Sequence, residues 1–122
     1  MSTPINHLSE LTTMKNNKCY RQGDVLIRRV DSLPSNRKKI KREMGLVILA
    51  HGEVTGHHHS LADEQVDLFE TASEAGVTYL EVREAMATLT HQEHAPITLE
   101  PGKYRVSIQK EYTPAAIVST LD

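Results

Sequence analysis

Short runs of apolar and β-branched residues, broken repeatedly by glycine, proline, aspartate and serine, govern what this chain can fold into. Val25-Leu26-Ile27-Arg28-Arg29-Val30 runs into Asp31-Ser32-Leu33-Pro34-Ser35, and Leu46-Val47-Ile48-Leu49-Ala50 runs into His51-Gly52. Runs of this length suit strands and are short for helices that must bury a face. The second run is apolar throughout, the pattern of a central strand covered on both faces. After it, Gly52 and Gly56 allow the chain to turn and return through His57 to Leu61. Val66 to Glu70 reads as a short strand, Ala72 to Gly76 as a turn, and Val77 to Val82 as a strand made of β-formers. A helix competes only over Glu81 to Ala87, where Glu, Arg, Ala and Met cluster, and strand is the preferred reading. Ile97-Thr98-Leu99, the turn Glu100-Pro101-Gly102-Lys103 and Tyr104 to Gln109 read as a hairpin, with Tyr104, Val106 and Ile108 on its buried face.

These units predict a mostly β, small single-domain protein, a β-barrel or sandwich with a cupin-like barrel among the options. A length of 122 residues is the usual size of one domain and large enough to bury a core without disulfides. Residues 1–20 read as a flexible N-terminal arm, in which only Leu8, Leu11 and Met14 fall at helical spacing, and residues 21–122 as the β domain. A helical turn is expected in the tail from Pro114 to Asp122. With Cys19 the only cysteine, an intramolecular disulfide and a four-cysteine zinc site are both excluded. No apolar stretch approaches the ~20 residues that span a bilayer, and no leader pattern opens the chain, so the cytoplasm is the expected compartment and no membrane partner is expected.

The histidines carry the strongest chemical signal, because six of the seven lie between residues 51 and 94. Alternate side chains of a strand share a face, so His57 and His59 aim one way and His58 the other, making His-x-His a two-nitrogen chelate. In His91-Gln92-Glu93-His94, His91 and His94 converge only through a turn or bulge, which Pro96 favours. The expectation is a divalent transition metal held by His57, His59, His91 and His94, with zinc, manganese, iron, nickel or copper suited to such donors. In the enzyme version, acting on a small or nucleotide-like substrate, Glu93 or Glu53 is the catalytic base on a metal-bound water. Affinity is expected to fall below about pH 6, since imidazole must be neutral to ligate. Against this stands the plain reading that histidines often face solvent or satisfy backbone carbonyls.

A rival function starts from charge. Residues 1–44 hold ten basic and four acidic residues, whereas residues 45–122 hold four basic and twelve acidic ones. Arg37, Lys38, Lys39, Lys41 and Arg42 concentrate the positive charge in a connector that could grip phosphates, making the protein a nucleic-acid-binding or accessory interaction module. The connector lacks the interleaved aromatics of a base-stacking surface, and a charge run is more often a solvated loop.

Two resemblances accompany these readings. His57-x-His59 followed by Glu64 resembles the first histidine-glutamate motif of the cupins, which implies a closed barrel with His57, His59 and Glu64 as metal ligands. The glycine after the glutamate is missing at its usual cupin spacing, and Pro101-Gly102 follows His91 and His94 rather than preceding the last ligand. More broadly, Arg21-Gln22-Gly23-Asp24-Val25, Gly52-Glu53-Val54-Thr55-Gly56-His57-His58-His59, Leu89 to Ile97 and Gln109 to Pro114 resemble a small family of uncharacterised bacterial and phage-associated proteins. That likeness implies that the two histidine segments belong to one design. Oligomeric state is not legible.

Overall fold

The computed structural model describes residues 18–52 and 56–109. The expected arm up to residue 17, the candidate base Glu53 and the C-terminal helical turn lie outside these residues. Among the described residues there are ten strands and no helix: β1 (Cys19–Gln22), β2 (Val25–Val30), β3 (Lys38–Lys39), β4 (Val47–His51), β5 (His58–Leu61), β6 (Val66–Glu70), β7 (Val77–Val82), β8 (Ala87–Leu89), β9 (Ile97–Leu99) and β10 (Gly102–Ile108). No helix of the described residues is long and apolar enough to cross a membrane.

Six strands form one antiparallel sheet in the order β1-β2-β10-β7-β6-β3. Two strand pairs, β4-β5 and β8-β9, complete the fold. They are linked through Ser60 and Thr90, whose backbones exchange hydrogen bonds of 3.0 and 2.9 Å. Val25, Ile27, Leu68, Leu80, Val82, Tyr104 and Val106 of the large sheet share one core with Val47, Leu49, Leu61, Ala87, Leu89 and Leu99 of the strand pairs. Alternation along each strand sends one set of side chains into this core, where each fully buried aliphatic contributes roughly 1.5–3 kcal/mol.

The large sheet is open: its ends, β1 and β3, do not pair with each other. The closed barrel implied by the cupin likeness is therefore not formed by the described strands. Glu64, the third ligand that likeness implied, is an exposed residue just before β6 whose backbone carbonyl accepts from Arg83.

The hairpin expected across Pro101-Gly102 also does not form, because β9 pairs with β8 while β10 lies between β2 and β7. Pro101-Gly102 is instead a corner where the chain leaves one set of strands for the other. Arg29 donates to the Pro101 carbonyl at 2.9 Å, and the Tyr104 hydroxyl donates to the Glu100 carbonyl at 2.5 Å. A Cβ on Gly102 would lie 2.6 Å from the Arg29 guanidinium, so a side chain there would have to displace Arg29 from this corner. Tyr104 and Val106 are buried as expected, but Ile108 is 40 % exposed near the end of β10.

At the other end of the chain, β1 begins at Cys19, inside the segment expected to be an arm. Gly23-Asp24 is the two-residue turn of a β1-β2 hairpin in which Gln22 faces Val25. Gly23 has a φ of 60° while Asp24 keeps an ordinary negative one, the pattern of a type II′ turn with glycine first.

Candidate metal centre

Three turns meet at one place. The β4-β5 hairpin, closed by Gly52 N–H donating to the His57 carbonyl at 2.8 Å, delivers His57 and His59. The loop from β8 to β9 delivers His91 and His94, and the Gly23-Asp24 turn packs beneath them. His59 and His91 have ring centroids 4.3 Å apart, His91 and His94 4.7 Å, and His59 and His94 5.9 Å. His57 joins the group through His91, at 5.8 Å. His58 lies apart, its ring against His51 at 6.4 Å and its Nδ1 2.9 Å from the Ser60 hydroxyl.

Two glycines leave room for this crowding. A Cβ on Gly23 would stand 2.9 Å from His94 Nε2 and 3.4 Å from His59 Cε1, and one on Gly52 would stand 3.3 Å from His91 Nε2. Gly23→Ala is expected to cost about 1–2 kcal/mol through its positive φ. Because His94 is exposed, its ring can swing away from the new methyl group, so the domain is expected to stay folded, and if the cluster holds zinc its affinity should drop about tenfold or more. Denaturant unfolding and a zinc titration check both parts. A folded variant with unchanged zinc affinity would remove His94 from the site.

His59 is 3 % exposed and tightly specified. Its Nδ1 lies 2.7 Å from Gln22 Oε1. Burial first, and then the neighbouring His91, hold its pKa down at about 4, with the Asp24 charge opposing them. His91 is lowered as well, by burial first and then by His94, against the pull of Glu93. Both rings are therefore neutral at pH 7, the form that binds metals. His91 Nδ1 accepts the Glu93 N–H at 2.9 Å, so the neutral His91 ring carries its own proton on Nε2. His57 Nδ1 is buried with no hydrogen-bond partner among the described residues, and the Glu93 carboxylate stands 3.5 Å from it.

Among the described residues no group of three or more His, Cys, Asp or Glu side chains is already arranged to hold an ion. The His59 and His94 rings are stacked at 18°, and the His91 ring is tilted by 36° and 51° to them. Tetrahedral coordination at ~2.0–2.1 Å places imidazole centroids about 5 Å apart. The observed spacings bracket that value, so the rearrangement an ion needs is ring rotation and a proton exchange on His91, not transport of the backbone.

The basic connector is mostly exposed, with Arg42 its one part-buried basic residue. Lys38 and Lys39 form the edge strand β3, with Lys39 paired to Asp67 at 3.3 Å. Arg42 donates to the carbonyls of Gly45, Asp63 and Val66, tying the connector to the segment before β6. Arg37 lies over the Phe69 ring and donates to the Pro34 carbonyl, while Lys38 and Lys41 are exposed. Lysines on an edge strand commonly serve to block pairing with other chains.

Residues 21–109 match a family described as a domain of unknown function, DUF8820. The chain belongs to that family. No curated protein and no solved structure matches the chain. The limits of the DUF8820 segment coincide with a contact in the fold: Arg21 donates to the Gln109 side chain at 2.8 Å, and Gln109 N–H donates to the Asp24 carbonyl at 2.7 Å. Every ring of the cluster lies within the DUF8820 segment, as do Gln22 and Gly23. Those last two were not singled out from the sequence. Gln22 could be found only by recognising β1, in which it shares a face with Tyr20, a residue packed against the core.

Proposed function

We propose that this protein binds a divalent transition metal through His59, His91 and His94, with His57 as a fourth donor at the rim. The observation that carries this reading is the juxtaposition of neutral imidazoles from two distant segments at spacings close to those of a coordination sphere. Packing several imidazoles together has little value for stability, since hydrocarbon side chains fill such a place without desolvating ring nitrogens. A nitrogen-rich donor set favours zinc, copper, nickel or iron over the oxygen-seeking magnesium and calcium.

With His57 left off the ion, the three remaining imidazoles would leave a position open to water. Glu93, 3.5 Å from His57 and on the same loop as His91 and His94, would be the nearby carboxylate able to accept a proton, and the chemistry an ion would supply here is activation of water towards a small substrate. The basic connector carries no part of this reading.

Elemental analysis of protein purified without a histidine tag tests it, with a titration of the metal-stripped protein by zinc and then by copper, nickel, iron and manganese. About one equivalent per chain is expected, and the His57→Ala/His59→Ala double variant is expected to take up far less. Protein that stays metal-free through the whole series rejects the metal centre.

A further inference from the structure

Gln22 holds three segments with one side chain. It is 2 % exposed, and its Nε2 donates to the Leu89 carbonyl at 3.2 Å and to the Ala95 carbonyl at 2.9 Å. Those carbonyls stand on either side of the stretch that carries His91 and His94. Its Oε1 faces His59 Nδ1 at 2.7 Å. An amide has two N–H donors and one carbonyl oxygen, and both donors are committed to acceptors that cannot donate in return. The amide therefore cannot be flipped without setting oxygen against two carbonyls. Oε1 is left as an acceptor only, so His59 must supply the proton.

We infer that Gln22 is a positioning residue of the histidine cluster: it fixes His59 as the Nδ1–H tautomer, leaving the Nε2 lone pair as the ligand, and tethers the His91–His94 loop to the same point. The assignment rests on the metal reading above for its purpose, though not for its geometry. Metal-bound histidines characteristically donate their second ring N–H to a fixed acceptor, which sets the tautomer and the ring orientation. His59 has that acceptor in place in Gln22 Oε1. His91 has the reverse, a backbone N–H directed at Nδ1, so His59 is the pre-set ligand and His91 the one that must adjust.

The experiment is a two-bond proton–nitrogen correlation spectrum of the histidine rings in metal-stripped protein, followed by a zinc titration of the same samples. In the wild type, His59 is expected to show its proton on Nδ1. In Gln22→Leu, the proton should move wholly or partly to Nε2, and zinc affinity should fall by about 10–100-fold. In Gln22→Glu, a carboxylate still accepts from Nδ1, so the tautomer should persist although the two carbonyl tethers are lost. A role limited to filling space would leave the tautomer alike in all three proteins. A wild-type ring protonated on Nε2, or a folded Gln22→Leu protein with unchanged tautomer, overturns the proposal. Should Gln22→Leu not fold, Gln22→Met, an unbranched side chain of similar length without the amide, takes its place in the same comparison. Wild-type protein that takes up no zinc but shows the Nδ1–H ring rejects the metal centre while upholding the tautomer assignment, so the two failures are separable.

Discussion

His59→Gln is expected to reduce zinc affinity at least about 100-fold, more than the loss typical of a residue that only orients a ligand. The reasoning starts from the strand. His59 lies on β5 opposite Ala50 of β4, at a point where the register shifts between Ile48 and Ala50, and it is one of the few buried polar residues of the domain. Its backbone is fixed by that pairing and its ring by Gln22, so it forfeits little freedom on binding an ion. His91 and His94 sit on a loop and must turn to meet it. Glutamine at position 59 retains an N–H for Gln22 Oε1 while removing the imidazole, which separates ligation from packing. His58→Gln is the control: one residue away on the same strand, its ring rests against His51, and zinc affinity should stay at the wild-type value. Calorimetric titration of the three proteins measures this, and equal losses at positions 58 and 59 would mean that the site is not organised around His59.

The sequence made most strands legible for a definite reason. β2, β4, β6 and β7 combine β-branched residues with flanking turn formers, and the structure places them within a residue of where the pattern puts them. Two failures have physical causes. β1 is hidden in the pattern because its buried position is filled by Gln22, and hydropathy reads glutamine as solvent-facing; the residue that hides the strand is the one that meets His59. The expected hairpin across Pro101-Gly102 does not form because turn chemistry specifies a change of direction and not a pairing partner. Gly102 opens β10, but β2 and β7 offer longer ladders than β9 could, with Lys103 to Ile108 matched along β2 and Gly102 to Ser107 along β7.

The candidate site was legible in part. Strand alternation was enough to separate His57 and His59 from His58, and the short spacing of His91 and His94 marked the second segment. What alternation could not supply was the meeting of the segments, which depends on the long-range bridge between Ser60 and Thr90, one residue away from His59 and His91 respectively. The sequence also left the tautomers unspecified, since these follow from Gln22 and from the Glu93 backbone. The basic connector was legible as a surface feature, since Arg37, Lys38, Lys39 and Lys41 are exposed; the sequence did not show that Arg42 makes three hydrogen bonds to backbone carbonyls.

Metal-stripped protein is expected to lose stability in mild acid by about 3 kcal/mol through His59 alone, a large share of the ~5–15 kcal/mol that holds a domain together. In the unfolded chain this ring titrates near its ordinary value of 6.5, whereas in the folded domain burial and the neighbouring His91 lower it to about 4. The folded state therefore favours the neutral ring. Above pH 6.5 both states are neutral and the full stability is present. As pH falls from 6.5 towards 4 the unfolded chain takes up the proton first, and stability drops by about 1.4 kcal/mol per pH unit before levelling off once the folded ring is protonated as well. Because the ring is 3 % exposed, solvent does little to soften the effect. His91, lowered for the same reasons, acts in the same direction. Carboxylates contribute to acid unfolding too, so the measurement is the difference between wild type and His59→Gln in denaturant midpoints taken from pH 7 to pH 4. The two curves should converge as pH falls, the wild type losing its excess pH-dependent stability over that interval. Parallel curves would show that His59 carries its proton as readily in the folded domain as in the unfolded chain, so that neither burial nor His91 favours its neutral form.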